Sequence, residues 1–395
     1  MSSRLGYLTV FLCAAGAVAL ITPLIRWIAV RVGAIDQPSD RKIHPKPTPT
    51  IGGVAILVGA LVGLGVAYLI PSFRAVFRES SELQGALFAA LAITFVGLVD
   101  DVRTLSAPAK IAGQVLAAGI LILNSVQLLF FWFPTQGVVS LGSDVAVPLT
   151  VLWVLVMVNA INLIDGLDGL AAGIVVIAAS AFFAWLLLTP ATFPSSSTTA
   201  AILSAIVAGA ALGFLPYNVY PARIFMGDSG SMLLGVLLAA ATISGVGRTI
   251  QPSRGDIAAF SIPVLIPAIV LAVPLADVAL AIIRRMRKGR PVFAPDKEHI
   301  HHQLRKIGHT DRRAVFTMYF WSVLLAGAAL AVALIHRRTT IALIVAAAAV
   351  LIAATLIPSR IRRLRTVRAA TGEADATPAT AAPDATKKVQ GQQGA

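Results

Sequence analysis

Apolar stretches of about 20 residues recur along almost the whole chain, and each is long enough to cross a hydrocarbon core of about 30 Å. Charged residues make up only 13% of the 395 residues, whereas soluble domains carry roughly a quarter. Backbone polar groups in lipid must be satisfied inside each crossing segment. The pattern therefore predicts an all-α polytopic protein of the cell (plasma) membrane.

Eleven of these stretches are predicted to span the membrane, and ten is the alternative if the last two form one re-entrant unit. The spans lie near residues 6–28, 51–70, 84–99, 108–124, 147–164, 169–189, 199–216, 229–247, 259–283, 314–335 and 339–357. They predict one transmembrane domain over residues 1–357. The composition after Pro358 is typical of a disordered tail, residues 358–395. Between Ser125 and Val147 we expect an external hairpin or interfacial loop.

Basic residues lie mostly on one side of this arrangement. Of the 32 Lys and Arg residues, 25 lie on one side and seven on the other. The positive-inside rule predicts that the richer side is cytoplasmic, with the amino terminus outside and the carboxyl terminus inside. Since the net charge of +14 comes from these loops and the tail, it does not indicate a nucleic-acid partner. The only cysteine, Cys13, excludes an internal disulfide and a cysteine-based metal cage.

The acidic and histidine motifs all follow odd-numbered spans, so they are predicted to share the cytoplasmic face. They are Asp100 and Asp101 after span three, Asp165 and Asp168 after span five, Asp228 after span seven, and His299, His301 and His302 after span nine. Carboxylates and imidazoles gathered among Lys and Arg are typical of a site for phosphates and a divalent metal.

Asp100 and Asp101 are adjacent, and adjacent side chains on a helix diverge by about 100°. One is therefore expected to face a metal or a proton, and the other a cation such as Lys110. A solvated helix end is the alternative.

Asn159, Asn162 and Asp165 recur every three residues on an apolar helix and form one polar stripe. Two glycines then allow close backbone approach and place Asp168 off the stripe. Amides at this depth need partners, either a ligand or another helix. A nucleotide-sugar site and an interhelical hydrogen-bond seam are the two interpretations.

Phe225–Ser231 opens span eight with small residues around Asp228. Bare N–H groups at a helix amino terminus favour anions, so the segment has the form of a phosphate cradle. A carboxylate in such a site indicates Mg²⁺ or Mn²⁺ bound by Asp228. The alternative is a helix capped by Asp228 or Ser229.

The histidine motif is interpreted as a pyrophosphate contact, with a solvated loop as its alternative.

These motifs, in this order, resemble those of the polyprenyl-phosphate N-acetylhexosamine-1-phosphate transferases, the superfamily that includes the phospho-N-acetylmuramoyl-pentapeptide transferases. The similarity runs from about Gly33 to Gly308 and includes the segment 36–53. Ile300 interrupts the histidines, which is similar to the N-acetylglucosamine-1-phosphate transferases. The segment 293–302 resembles the actinobacterial members, which implies decaprenyl phosphate and arabinogalactan synthesis. Thr104 departs from the family, which often has an acidic or amide residue there.

The resemblance implies transfer of N-acetylglucosamine 1-phosphate from its UDP-sugar to a polyprenyl phosphate, with UMP released and Mg²⁺ (or Mn²⁺) as cofactor. The implied catalytic residues are Asp100, Asp101, Asp165, His299, His301 and His302. The implied substrate-binding residues are Lys46, Lys110, Asn159, Asn162, Asp168, Asn218 and Phe225, and Asp228 is the implied metal ligand.

The implied partners are the UDP-sugar donor, the lipid acceptor, the membrane and, as a candidate, a second copy of the chain.

Two other functions compete with the transfer of N-acetylglucosamine 1-phosphate. The first is the same chemistry on UDP-N-acetylmuramoyl-pentapeptide, which the interrupted histidine motif disfavours. The second is a transporter, since intramembrane Asp and Asn also mark transport pathways. A transporter, however, is expected to place its polar groups near mid-membrane, and here they lie at one face.

Overall fold

The computed structural model describes residues 3–37, 47–133, 137–188, 196–246 and 310–334, together with residues 286, 287 and 289. Lys46, the histidine motif, the predicted spans near 259–283 and 339–357, and the tail lie outside these ranges.

Within the described ranges, helices account for most of the chain. Numbered in order they are α1 (Ser3–Val32), α2 (Gly53–Leu69), α3 (Arg74–Glu79), α4 (Glu82–Val102), α5 (Ala107–Leu123), α6 (Ser143–Ile164), α7 (Leu170–Leu188), α8 (Ser196–Asn218), α9 (Gly227–Val246) and α10 (Asp311–Leu334). Seven are long and apolar enough to cross a membrane: α1, α4, α6, α7, α8, α9 and α10.

Two further helices coincide with predicted spans. Helix α2 has 17 residues, and after a 90° bend the chain continues through a 3₁₀ turn, Pro71–Phe73, into the short α3. Helix α5 is a mainly apolar helix that also has 17 residues. The polytopic helical class is therefore confirmed. The count of eleven spans stays a prediction, since two of them lie outside the described residues.

Two short antiparallel hairpins depart from the all-α expectation. Strand β1 (Ile35–Asp36) pairs with β2 (Thr48–Pro49), and β3 (Phe130–Phe133) pairs with β4 (Gly137–Ser140). The second hairpin joins α5 to α6, and just before it the N–H of Leu128 donates to the hydroxyl of Thr150 at 3.0 Å. The hairpin thus joins the end of α5 to the start of α6 at the same end of the bundle. Of the two forms predicted for the stretch between Ser125 and Val147, the hairpin is the one present, and its external position stays a prediction.

Helix α9 lies at the centre of the bundle, where α2, α4, α6 and α8 pack against it. Of the residues in the most apolar part of α9, 89% are buried inside the protein. Glycines on the surrounding helices make the approach close: a Cβ atom on Gly97 or on Gly53 would collide with the backbone at Ser229 or Gly230. This packing gathers the start of α2, the end of α4 and the end of α6 around the amino terminus of α9.

Candidate active site

Lys110, in the first turn of α5, bridges two carboxylates from different helices. Its Nζ lies 2.7 Å from Oδ2 of Asp100 at the end of α4, and 2.6 Å from Oδ2 of Asp228 at the start of α9. The Asp100 side chain is only 9% exposed and that of Asp228 is 25% exposed, so neither charge is fully solvated. Partial burial strengthens such charge-assisted bonds. The predicted pairing of one member of the aspartate pair with Lys110 is confirmed for Asp100.

Asp101 points the other way and caps the amino terminus of α9. Its Oδ1 accepts the backbone N–H of Asp228 at 2.7 Å. Its Oδ2 accepts the N–H of Ser229 at 3.2 Å and the hydroxyl of Ser229 at 2.6 Å. Gly227, with φ of +69°, leaves space for this carboxylate, because a Cβ atom there would collide with it.

The phosphate-cradle interpretation is therefore wrong for the N–H groups of Asp228 and Ser229. The chain supplies its own anion to this helix end, and the Asp101 carboxylate meets both the unpaired N–H groups and the helix dipole. Neither expected cap, Asp228 nor Ser229, plays that part. A direct catalytic role for Asp101 stays a prediction.

The amides of the polar stripe hold α6 to its neighbours. Nδ2 of Asn162 donates to Oδ1 of Asp228 at 3.0 Å and to the hydroxyl of Ser231 at 2.9 Å. Nδ2 of Asn159 donates to Oε1 of Gln114 at 2.7 Å, and this glutamine on α5 is only 2% exposed. Two members of the predicted stripe, Asn159 and Asn162, thus face the neighbouring helices α5 and α9, whereas Asp165 lies just beyond the end of α6. The amide nitrogens of the two asparagines form the interhelical seam, and for Asn162 that seam includes the site carboxylate Asp228.

Asp165 and Asp168 lie in the turn between α6 and α7. Desolvation by the surrounding protein, together with the negative charges of Asp228, Asp101 and Asp168, raises the pKa of the Asp165 carboxyl well above its usual value. Oδ2 of Asp168 accepts the N–H of Ala222 at 2.9 Å, which attaches the turn to the connection between α8 and α9. The structure thus brings Asp165 into the electrostatic environment of the aspartates on α4 and α9.

Asn218 and Phe225 are the ends of the chain segment that leads into α9. Asn218 is 2% exposed, its Oδ1 accepts the N–H of Gly169 at 3.1 Å, and its Nδ2 donates to the carbonyl of Ile224 at 3.2 Å. The backbone N–H of Phe225 donates to the carbonyl of Pro49 at 2.8 Å. Both ends of the Asn218 amide are thus engaged by the backbone, and a substrate would have to compete with these two hydrogen bonds for the predicted contact. Phe225 remains half-buried beside the segment that follows Lys46.

The donor set around Asp228 fits a hard divalent cation. Four carboxylates gather in this region, those of Asp100, Asp101, Asp165 and Asp228. The ammonium group of Lys110 lies among them and pairs with Asp100 and Asp228. Among the described residues, no group of three acidic, His or Cys side chains stands close enough to hold an ion together. Mg²⁺ is commonly bound by one or two carboxylates, with substrate phosphates and water completing its shell, so the residues present suit it.

Sequence reasoning missed Gln114 and also Tyr319, whose hydroxyl donates to the carbonyl of Gly169, and it placed Ser231 in the motif around Asp228 without predicting its partner Asn162. Gln114 stands four residues after Lys110, on the same face of α5, and this spacing was a usable signal. The role of Ser231 depends on the approach of α6 to α9, and that of Tyr319 on the approach of α10 to α7.

Comparison with known proteins gives a consistent result. The profile of glycosyl transferase family 4 matches residues 83–246, from α4 to α9. The chain is 40% identical over 348 residues, 87% of each chain, to decaprenyl-phosphate N-acetylglucosaminephosphotransferase of Mycobacterium leprae (strain TN). It is 39% identical over 304 residues, 76% of this chain and 78% of the relative, to the probable undecaprenyl-phosphate N-acetylglucosaminyl 1-phosphate transferase of Bacillus subtilis (strain 168). A phospho-N-acetylmuramoyl-pentapeptide-transferase of Desulforudis audaxviator (strain MP104C) is 34% identical over 352 residues, 82% of this chain and 97% of the relative.

Carboxylates gathered around a lysine at one end of a bundle of apolar helices define an integral membrane protein with a charged site at that end. Within that class, the chain belongs to glycosyl transferase family 4, in its branch of polyprenyl-phosphate N-acetylglucosamine-1-phosphate transferases, and is a phosphotransferase.

Proposed function

We propose that the chain transfers N-acetylglucosamine 1-phosphate from UDP-N-acetylglucosamine to decaprenyl phosphate and releases UMP. The product, decaprenyl-diphospho-N-acetylglucosamine, would begin lipid-linked synthesis of a cell-wall polysaccharide such as arabinogalactan. The observation that carries the proposal is the Asp100–Lys110–Asp228 constellation, in a chain 40% identical to a decaprenyl-phosphate N-acetylglucosaminephosphotransferase. This constellation lies at one end of the bundle, where α4 ends and α5 and α9 begin.

The reaction forms one P–O bond and breaks another. An oxygen of the lipid phosphate attacks the β-phosphorus of the donor, and the bond to UMP breaks with its electron pair on the UMP oxygen. Such a transfer needs positioning and charge stabilisation more than covalent help from the protein. Asp100 accepts the proton of the lipid phosphate or orients it, and Lys110 directs positive charge to the same place.

Asp228 is the proposed ligand of Mg²⁺ or Mn²⁺, which when bound offsets the negative charge of the pyrophosphate. Asn162 orients Asp228 through their 3.0 Å hydrogen bond. Asp165 adds a carboxylate close to the reacting groups. Asp168, Phe225 and Lys46 are proposed for the uridine side of the donor, and His299, His301 and His302 for its pyrophosphate.

The experiment is an assay of purified protein with decaprenyl phosphate and, in parallel, UDP-N-acetylglucosamine, UDP-N-acetylgalactosamine and UDP-N-acetylmuramoyl-pentapeptide. We expect UMP release and a lipid-linked sugar with the first donor, and loss of both when EDTA removes the metal. The 34% identity to a pentapeptide transferase makes that donor the second candidate, and turnover with it alone would replace the proposed one. A protein that moves substrate across liposomes without releasing UMP would instead be a transporter.

The proposed orientation puts the site in the cytoplasm, where nucleotide sugars are made. Thr104 joins α4 to α5 beside the site, and Thr310 precedes α10, whose Arg312 lies over the ring of Tyr220 at 5.1 Å. Ser143 begins α6 at the opposite end of the bundle.

Single cysteines in a Cys13→Ser background report this orientation directly. An impermeant maleimide added to intact cells should label a cysteine at Ser143 and leave cysteines at Thr104 and Thr310 unlabelled until the membrane is opened. External labelling at Thr104 and Thr310, with protection at Ser143, would reverse the orientation.

A further inference from the structure

The backbone of Gly169, at the end of the turn that carries Asp165 and Asp168, is held on both sides of its Cα atom. Its N–H donates to Oδ1 of Asn218 at 3.1 Å. Its carbonyl accepts the hydroxyl of Tyr319 and the N–H of Gly173, the latter at 3.0 Å. Gly169 has φ of +80°, a conformation in which residues other than glycine are strained. Since glycine is also the most flexible residue, these partners decide which conformation the turn keeps.

Tyr319 reaches Gly169 because α10 packs closely against α7. A Cβ atom on Gly173 would collide with the hydroxyl and the ring of Tyr319. Gly173 therefore makes the space in which the tyrosine lies. In the sequence, α10 begins nine residues after His302. The same hydroxyl thus ties the helix that follows the histidine motif to the turn between α6 and α7.

We infer that Tyr319 is a positioning residue for the donor side of the site, acting through Gly169 on Asp168 and Asp165. The inference rests on the proposed function for its kinetic meaning. When the hydroxyl is removed, the Gly169 carbonyl keeps its bond from Gly173, so α7 still begins correctly. The turn, however, loses the bond to α10 that restrains it on that side. Binding of the donor, which Asp168 is proposed to contact, then weakens more than binding of the lipid.

Tyr319→Phe is the first test variant, and Tyr217→Phe is its matched control. The hydroxyl of Tyr217 also donates to a backbone carbonyl of another helix, that of Ala19 at 2.9 Å, but this carbonyl belongs to α1 and not to the turn. For Tyr319→Phe we expect the KM for UDP-N-acetylglucosamine to rise about three- to tenfold, the scale of a single hydrogen bond. The KM for decaprenyl phosphate should stay unchanged, and Tyr217→Phe should leave both constants unchanged.

Gly173→Ala provides a second route to the same bond, because it displaces Tyr319 with its hydroxyl intact and should give the same split between the two KM values. Deuterium uptake by the segment 165–173 should rise in both variants and stay unchanged in Tyr217→Phe. Equal changes in both KM values, or equal deuterium uptake in the two Tyr→Phe variants, would overturn the inference. If the wild type releases no UMP, the proposed function fails, while deuterium uptake still tests the bond.

Discussion

Replacing Asp228 with asparagine is expected to lower transfer by about 1,000-fold or more and to weaken the dependence on Mg²⁺ or Mn²⁺. The two side chains have the same shape, but an asparagine has one acceptor oxygen, so only one of the two donors, Lys110 or Asn162, keeps its hydrogen bond. The charge that balances Lys110 and would bind the metal is lost. The measurement is UMP release by purified protein across a titration of each metal.

Asp144→Asn is the matched control for this variant. Asp144 is the second residue of α6, as Asp228 is of α9, but it is exposed at the other end of the bundle. The same substitution there should leave transfer unchanged. Normal activity of Asp228→Asn, with an unchanged metal titration, would remove Asp228 from the metal site.

Replacing Asp100 with asparagine is expected to lower kcat by about 100- to 10,000-fold, while the KM for the nucleotide sugar changes little. Oδ1 of Asp100 accepts the N–H of Leu105 at 2.7 Å, and an asparagine oxygen can keep that bond. What disappears is the negative charge beside Lys110 and the group proposed to take a proton from the lipid phosphate. Single-turnover assays and equilibrium donor binding separate these effects.

Asp144→Asn serves as the control here too, because it makes the same chemical change outside the site. A variant of Asp100 that loses donor binding yet turns over normally at saturating donor would place Asp100 on the nucleotide side. The proposed contact with the lipid phosphate would then have to be assigned to another residue.

Helix positions, and the gathering of the aspartate motifs at one end of the bundle, could be predicted because both depend on local or additive properties. The length of an apolar run decides whether it crosses lipid, and the number of crossings decides on which side a motif emerges. Within the described part of the chain, nine helices coincide with predicted spans for that reason, and Asp100, Asp165 and Asp228 lie in one site. The divergence of Asp100 and Asp101 also followed, from helix geometry alone.

The partner of each polar group could not be predicted, because it depends on how closely two distant helices approach. Asp101 reaches the amino terminus of α9 only because Gly97 and Gly227 remove side chains from that contact. An exposed helix end and one capped by a distant carboxylate have the same local sequence. The same limit applies to Asn218, whose amide could serve a ligand or two backbone groups.

The central position of α9 has a consequence for how the protein is made. Its mean hydropathy of 1.3 is the lowest of the seven candidate spans in the described part of the chain, and Ser229, Ser231, Thr242 and Ser244 are buried along it. Alone in lipid, such a helix would expose those hydroxyls to hydrocarbon. Synthesis proceeds from the amino terminus, so the helices that surround α9 emerge from the ribosome before it does. The least apolar of these seven candidate spans therefore enters the membrane when a protein surface already exists to receive it.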